Sequence, residues 1–325
     1  MSLSSSRLAS LSANTIGILC AIGAALFFSL NDAVIKSLSS TYALHQIILI
    51  RASIGLLILL SLLLFSEQKF KLLKTRNLTK HLMRGACVVF ANMLFFLALA
   101  SMPLADAVAI FFISPVIITL FSIIFLGEKV GPHRWLATLL GFIGVMIMVR
   151  PGSESFQLVS LLPIASAVCY ATLHILTRSM RGTESAGTMI FYIQVTFVIV
   201  SMLMGLTLGD GRYAPADIPS LYFLLRPWAE LQMQHWDIFL IVGVASAAGG
   251  YLISQAYRQA EAGLAAPFEY IALPMSIFWG ITLFNEWPSQ IDLLGMGLIL
   301  VSGLYTIWRE TLLGKRLRIA KPRRR

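Results

Sequence analysis

Several side chains able to do chemistry stand inside long apolar stretches of this sequence. Glu269 lies in AAPFEYIALPMSIFWGITLFN, the 21 residues from Ala265 to Asn285. Asn31 and Asp32 lie in FFSLNDAVIKSL, with Lys36 one helical turn further on. Arg51 lies in HQIILIRAS and His174 in CYATLHILTR. A run of that length in helical form covers roughly 30 Å, the thickness of a hydrocarbon core. A carboxylate on such a helix is costly and is kept from lipid, so Glu269 should face a protein interior or a wet cavity. That is the chemistry of a substrate or ion pathway. The bland alternative is a brace, Glu269 paired with a nearby arginine. Asp32 and Arg51 fall at similar depth on successive runs, which suits an ion pair. Such a pair either holds the bundle together or serves as a gate or proton-sensitive site. His174 is either a hydrogen-bonded interhelical imidazole or a proton relay.

Enzyme chemistry finds no purchase. HExxH, P-loop and GxSxG patterns are missing, and no acid–base group recurs with an orienting partner. No catalytic residue is expected. Cys20, Cys87 and Cys169 lie singly in apolar runs, without zinc spacing or a disulfide framework, so no metal and no cofactor are expected.

The elements that must position these groups follow from composition. Of 325 residues, 58% are hydrophobic and 12% charged, and mean hydropathy is +0.81. A soluble domain carries about twice that share of charge. The expectation is an all-α, polytopic membrane protein. Ten runs are long enough to span: 14–37, 44–66, 81–101, 106–126, 133–149, 156–178, 186–208, 236–258, 265–285 and 290–308. Pro274 is expected to bend the ninth. The one long connection, 209–235, reads as an extramembrane loop with a short interfacial helix. No cleavable signal peptide is expected, because the first run is too long for one.

The net charge of +10 raises the question of nucleic acid. The basic residues do not line a stripe beside aromatics; they sit between apolar runs, where they set orientation. With the N-terminus inside, nineteen Lys and Arg fall on the inner side, among them Arg7, Lys69, Lys71, Lys129 and Arg134. Four fall outside: Lys36, Arg150, Arg212 and Arg226. Both termini are therefore expected in the cytoplasm of a bacterial cell, at the inner membrane. The basic tail, 311–325, is expected to lie on anionic lipid, with no role in nucleic-acid binding.

The chain also repeats. SPVIITLFSIIFLGEKVG from Ser114 compares with LPMSIFWGITLFNEWP from Leu273. Pro115 matches Pro274, Glu128 matches Glu286, Gly144 matches Gly303 and Arg150 matches Arg309, at offsets of 159, 158, 159 and 159. Two five-helix repeats follow, 1–152 and 153–310. Five being odd, the second would enter the membrane inverted, an arrangement that places a site near the midplane between halves. Other polar and aromatic groups in the spans are Asn92, Phe95, Phe111, Tyr170, Gln255 and Tyr270, with Phe112 and Trp279 among further rings. Aromatics there more often pack than bind. Trp287 and Trp308 read as interface anchors.

Taken together, the ten runs, the two inverted halves, LGEK at Leu126 to Lys129, its echo FNEWP at Phe284 to Pro288, and ND..IK in the first span resemble the drug/metabolite transporter superfamily and, within it, the EamA family. The resemblance covers about 14–310. It implies carriage of a small metabolite through a central cavity lined mainly by helices one, three, four, six, eight and nine. Asn31, Asp32, Lys36 and Arg51 with PFEYIALP resemble the subgroup of S-adenosylmethionine and riboflavin carriers. The long loop departs from the compact family pattern.

The reading is a secondary transporter of a small organic metabolite working by alternating access. Substrate contact is expected from Glu269, Tyr270, Asn92, His174, Gln255, Phe95, Phe111 and Tyr170. Gating or coupling is expected from Asp32, Arg51, Asn31 and Lys36. Partners are the substrate and the bilayer, and a homodimer is allowed. The alternatives are an amino-acid or drug exporter of the same fold, a membrane enzyme acting on lipid, and a receptor-like protein that transports nothing.

Overall fold

Where apolar runs leave no water to satisfy the backbone, only a helix closes its hydrogen bonds within the segment. The computed structural model, which describes residues 13–64, 73–128, 130–150, 157–215 and 217–319, bears this out: among the described residues all regular structure is helical. In chain order the helices are α1 (Ala13–Leu38), α2 (Leu44–Leu64), α3 (Leu78–Leu99), α4 (Leu104–Phe111), α5 (Ser114–Leu126), α6 (Pro132–Val149), α7 (Leu161–Ser179), α8 (Ala186–Leu208), α9 (Pro219–Leu225), α10 (Trp236–Gln259), α11 (Ala262–Ala265), α12 (Ala272–Phe284) and α13 (Gln290–Ile319). Arg7, Lys69, Lys71, Lys129 and the tail residues beyond Ile319 lie outside the described residues, as do the side chains of Arg134, Lys315, Arg316 and Arg318.

Seven candidate spans are long and apolar enough to cross a bilayer: Ala13–Leu38, Leu44–Leu62, Leu78–Leu99, Leu104–Leu126, Leu158–Ser179, Ala186–Leu208 and Met233–Gln259. Three more of the expected ten coincide with shorter apolar helices, Trp135–Val149, Phe268–Phe284 and Gln290–Tyr305. The chain is thus a multi-pass, all-α membrane protein.

Two runs are broken in mid-course. The ninth begins as α11, tightens into a 3₁₀ run over Ala266–Ile271, and continues as α12. Pro274 is not the bend. It sits in the first turn of α12, where its missing N–H costs no intrahelical bond. The departure from α geometry comes earlier, in the segment that carries Glu269. The fourth run behaves likewise: α4 stops at Phe111, two residues intervene, and α5 starts with Pro115 in its first turn.

Two ends of the bundle can be fixed from contacts along α1. A Cβ built on Gly17 would stand 2.6 Å from Ala260 Cβ, and one on Gly249 would stand 2.8 Å from Phe28. α1 and α10 are therefore antiparallel and in close contact through small residues. Gly17 and Lys36 are separated by about 28 Å of helix. The C-termini of α7 and α10 lie at the Gly17 end, where Arg178 donates to Arg258 O at 3.3 Å. The 209–235 connection folds over the Lys36 end. Arg226 donates to Ser39 O at 2.8 Å, and Ser220 donates to Leu97 O at 2.7 Å. Gln46 pairs with Ala229 through both its amide groups, at 2.7 and 3.1 Å. The short helix expected there is α9, and Phe223 on it is buried.

Candidate functional site

A cavity of about 140 Å³ opens in the middle of the bundle. Helical spacing explains which side chains reach it. Val88, Asn92, Phe95 and Phe96 on α3 lie at successive i, i+4, i+7 and i+8 positions, one face of the helix. Tyr170 and His174 on α7 are one turn apart. Ile190, Ile193, Gln194 and Phe197 form a single face of α8. Asn31 and Asp32 come from α1, Arg51 from α2, Phe111 from the end of α4, Ser246 and Gly250 from α10, and Glu269 from the 3₁₀ run; all of these groups line the cavity.

Glu269 is 7% exposed, and its partners are not arginines. Tyr170 donates to one carboxylate oxygen and Tyr257 to the other, each at 2.5 Å. The brace reading, which needs a nearby arginine, is thereby replaced by a two-phenol clamp. Tyr170 and Tyr257 also enclose His174, whose ring stacks on Tyr257 at 3.9 Å and meets the edge of Tyr170 at 4.1 Å. Neither His174 nitrogen has a hydrogen-bond partner among the described residues, so the interhelical bond expected for it is not made.

The second polar group is arranged around Arg51. The direct Asp32–Arg51 ion pair expected from depth is not what forms. Arg51 donates to Asn31 Oδ1 at 3.1 Å and to Asn92 Oδ1 at 3.2 Å. Asn31 in turn donates to Asp32 at 3.1 Å. Asn31 stands next to Asp32 in sequence and reaches the guanidinium first, so an amide bridges the two charges. The guanidinium also lies 5.1 Å over the Phe197 ring, a cation–π contact.

Three other expected site residues lie elsewhere. Tyr270 does not line the cavity. Its ring packs against Gly303 of α13, and its hydroxyl lies beside the bare Gly141 of α6, since the 3₁₀ run turns it away from Glu269. Gln255 does not line it either; it is one turn from Arg258 on α10 and accepts from that guanidinium at 2.8 Å. Lys36 sits at the end of α1, paired with Glu286 at 2.5 Å. Sequence reading passes over Gln194 and Phe197. The available signal was a lone amide on one face of an otherwise apolar run. The seventh and second spans thus join the helices that the resemblance implied.

Residues 15–150 match the EamA-like transporter family. The riboflavin transporter of Rhizobium johnstonii is 29% identical over 91% of this chain and 92% of its own length. The pseudopaline exporter of Pseudomonas aeruginosa is 26% identical over 88% and 94%. The S-adenosylmethionine uptake transporter of Rickettsia bellii is 26% identical over 87% and 90%. A crystal structure 18% identical in sequence shares the fold, with a TM-score of 0.69 across 93% of this chain and 98% of that one.

Proposed function

We propose that this chain, whose residues 15–150 match the EamA-like transporter family, is a secondary carrier of a small, ring-containing organic metabolite, working by alternating access. One observation carries the reading: a buried carboxylate and a buried guanidinium face one central, aromatic-walled cavity in a bundle of apolar helices. Polar groups at that depth are costly and are kept where a pathway needs them. Phe95, Phe111, Tyr170 and Phe197 supply flat apolar surface for a ring, and Glu269, Asn92 and His174 supply polar contact. Relatives that carry riboflavin and S-adenosylmethionine support a substrate of that kind.

The proposed architecture is two inverted five-helix repeats, 1–152 and 153–310, rocking about this cavity. The breaks between α4 and α5 and between α11 and α12, each followed by a first-turn proline, support the duplication. Asn31, Asp32 and Arg51 act as a coupling group within the cavity, and Lys36 acts at one mouth. Both termini face the cytoplasm, with the basic tail on anionic lipid, as the lysine and arginine bias argues.

The test is purified protein in proteoliposomes, challenged with labelled vitamins, nucleosides, amino acids and S-adenosylmethionine, alongside thermal melting against the same set. A carrier moves at least one of these and gains melting temperature on binding it. Turnover of lipid without vectorial movement would overturn the reading in favour of an enzyme.

A further inference from the structure

Gln194 is 1% exposed and lines the cavity, yet neither its amide nitrogen nor its amide oxygen has a partner among the described residues. A buried donor and acceptor left unmade are expensive, and most such groups in folded proteins are satisfied. The position is built around this amide. A Cβ on Gly55 of α2 would stand 2.5 Å from Gln194 Nε2, and Ala247 of α10 lies 3.5 Å from the same point, so small residues on two helices leave room for it. One turn before Gly55, Arg51 also keeps its Nε without a partner. One turn after Gln194, Phe197 carries the guanidinium over its ring. This wall therefore offers two kinds of N–H donor and one carbonyl acceptor beside an aromatic face.

We propose that Gln194 is a specificity-determining residue that reads the edge of a planar heterocycle presenting a neighbouring acceptor and N–H donor, such as an imide, a lactam or an aminopyrimidine edge. This rests on the carrier reading and adds the substrate class. The chemistry is that of a side-chain amide, whose parallel donor and acceptor match such an edge in bidentate fashion, as glutamine does with adenine. A site built to bond an N–H rejects the analogue that lacks it, because its own buried groups are then stranded. Phe197 and Phe111 would lie against the ring while Gln194 and Arg51 meet its rim.

The experiment uses the full chain in detergent with matched probe pairs that differ by N-methylation at the edge: riboflavin and 3-methylriboflavin, uridine and 3-methyluridine, adenosine and N6,N6-dimethyladenosine. The wild type should bind the unmethylated member of at least one pair on the order of tenfold more tightly. Gln194→Leu should erase that preference while its ligand-free melting temperature stays or rises, since a stranded amide has been replaced by a hydrocarbon. Gly55→Ala, which crowds the amide without altering it, should weaken the same preference. Equal affinity within every pair, or binding of none, overturns the assignment, as does a preference that survives in Gln194→Leu. A fall in that variant's ligand-free melting temperature would make the role structural and overturn it too. The carrier reading is judged separately, by whether wild-type proteoliposomes move any metabolite of the wider set.

Discussion

Glu128 and Glu286 hold the same kind of bond pattern at opposite ends of the bundle. Glu286 pairs with Lys36 at 2.5 Å, and its other oxygen accepts the Leu104 N–H, at the start of α4, at 2.9 Å. Glu128 pairs with Arg178 at 3.4 Å and accepts the Ala262 N–H, at the start of α11, at 3.3 Å. Each acid follows the second piece of one broken run and ties down the first residue of the other, where the helix N-terminus favours a negative charge. Lys36 and Arg178 mark the last turns of α1 and α7.

Such a pair of latches suits a carrier that closes one mouth while opening the other. Each ion pair is mostly shielded, so its loss should shift the balance of states by about 1.4 kcal/mol, roughly tenfold. The check is a single cysteine at Ser166, in the cavity wall, in a chain with Cys20, Cys87 and Cys169 replaced. Glu286→Gln should speed its labelling by an impermeant maleimide from the Lys36 side, and Glu128→Gln from the Gly17 side. Labelling unchanged from both sides would remove the latch role.

The two-phenol clamp makes a second expectation concrete. In Glu269→Gln one phenol loses an oxygen acceptor and faces an amide N–H₂ instead. Hydrogen bonds to a charged group are worth about 1.5–3 kcal/mol, so transport in proteoliposomes should fall about tenfold or more. The yield of monodisperse protein should stay level. Full activity in the variant would take Glu269 out of the pathway.

Much of this was legible in the residues themselves. Apolar length and the rarity of charge announce the helices, and an acid in mid-run announces a polar interior, because both follow from transfer free energies along the chain. Rotation about a helix axis is less legible. Glu269 and Tyr270 are neighbours in a 3₁₀ run, yet one faces the cavity and the other packs on Gly303. Partner choice is less legible still. Depth alone suggested Asp32 for Arg51, but Asn31 intervenes, and that depends on side-chain reach across three helices. Gln194 shows in the sequence as a lone amide on one face of an apolar run, but that its amide lacks a partner depends on the packing of α2, α8 and α10, which the sequence does not display.

Helix packing yields a third expectation. A Cβ on Gly144 of α6 would stand 2.6 Å from Gly295 O of α13, a backbone atom that cannot swing aside. Gly144→Val should cost about 1–3 kcal/mol through overpacking. Gly297 lies on the same helix as Gly295, with nothing within 4 Å of its would-be Cβ. Gly297→Ala should therefore be neutral or gain up to about 1 kcal/mol of helix propensity. Opposite shifts of melting temperature for the two variants would support this packing, and a Gly144→Val protein that melts like the wild type would refute it.

The last expectation concerns acid. Glu184 lies in the short connection between α7 and α8, outside the spans, and is buried. Burial alone would raise its carboxyl pKa, but hydrogen bonds from Thr75 and Asn77 and the nearby His81 outweigh that and hold it below the ordinary range. Thr75 donates at 2.6 Å and Asn77 at 3.1 Å. A group whose folded pKa is depressed adds stability above its unfolded value, and that stability is lost as the pH falls through the folded one. The protein should therefore lose melting temperature on acidification below about pH 4.3, the ordinary glutamate value. Glu184→Gln should start lower at neutral pH and lose less over the same descent, because an amide keeps its bonds without titrating. Melting curves of the two proteins in detergent, taken from pH 7 down through the carboxylate range, decide it, and parallel curves would exclude Glu184 as the titrating group.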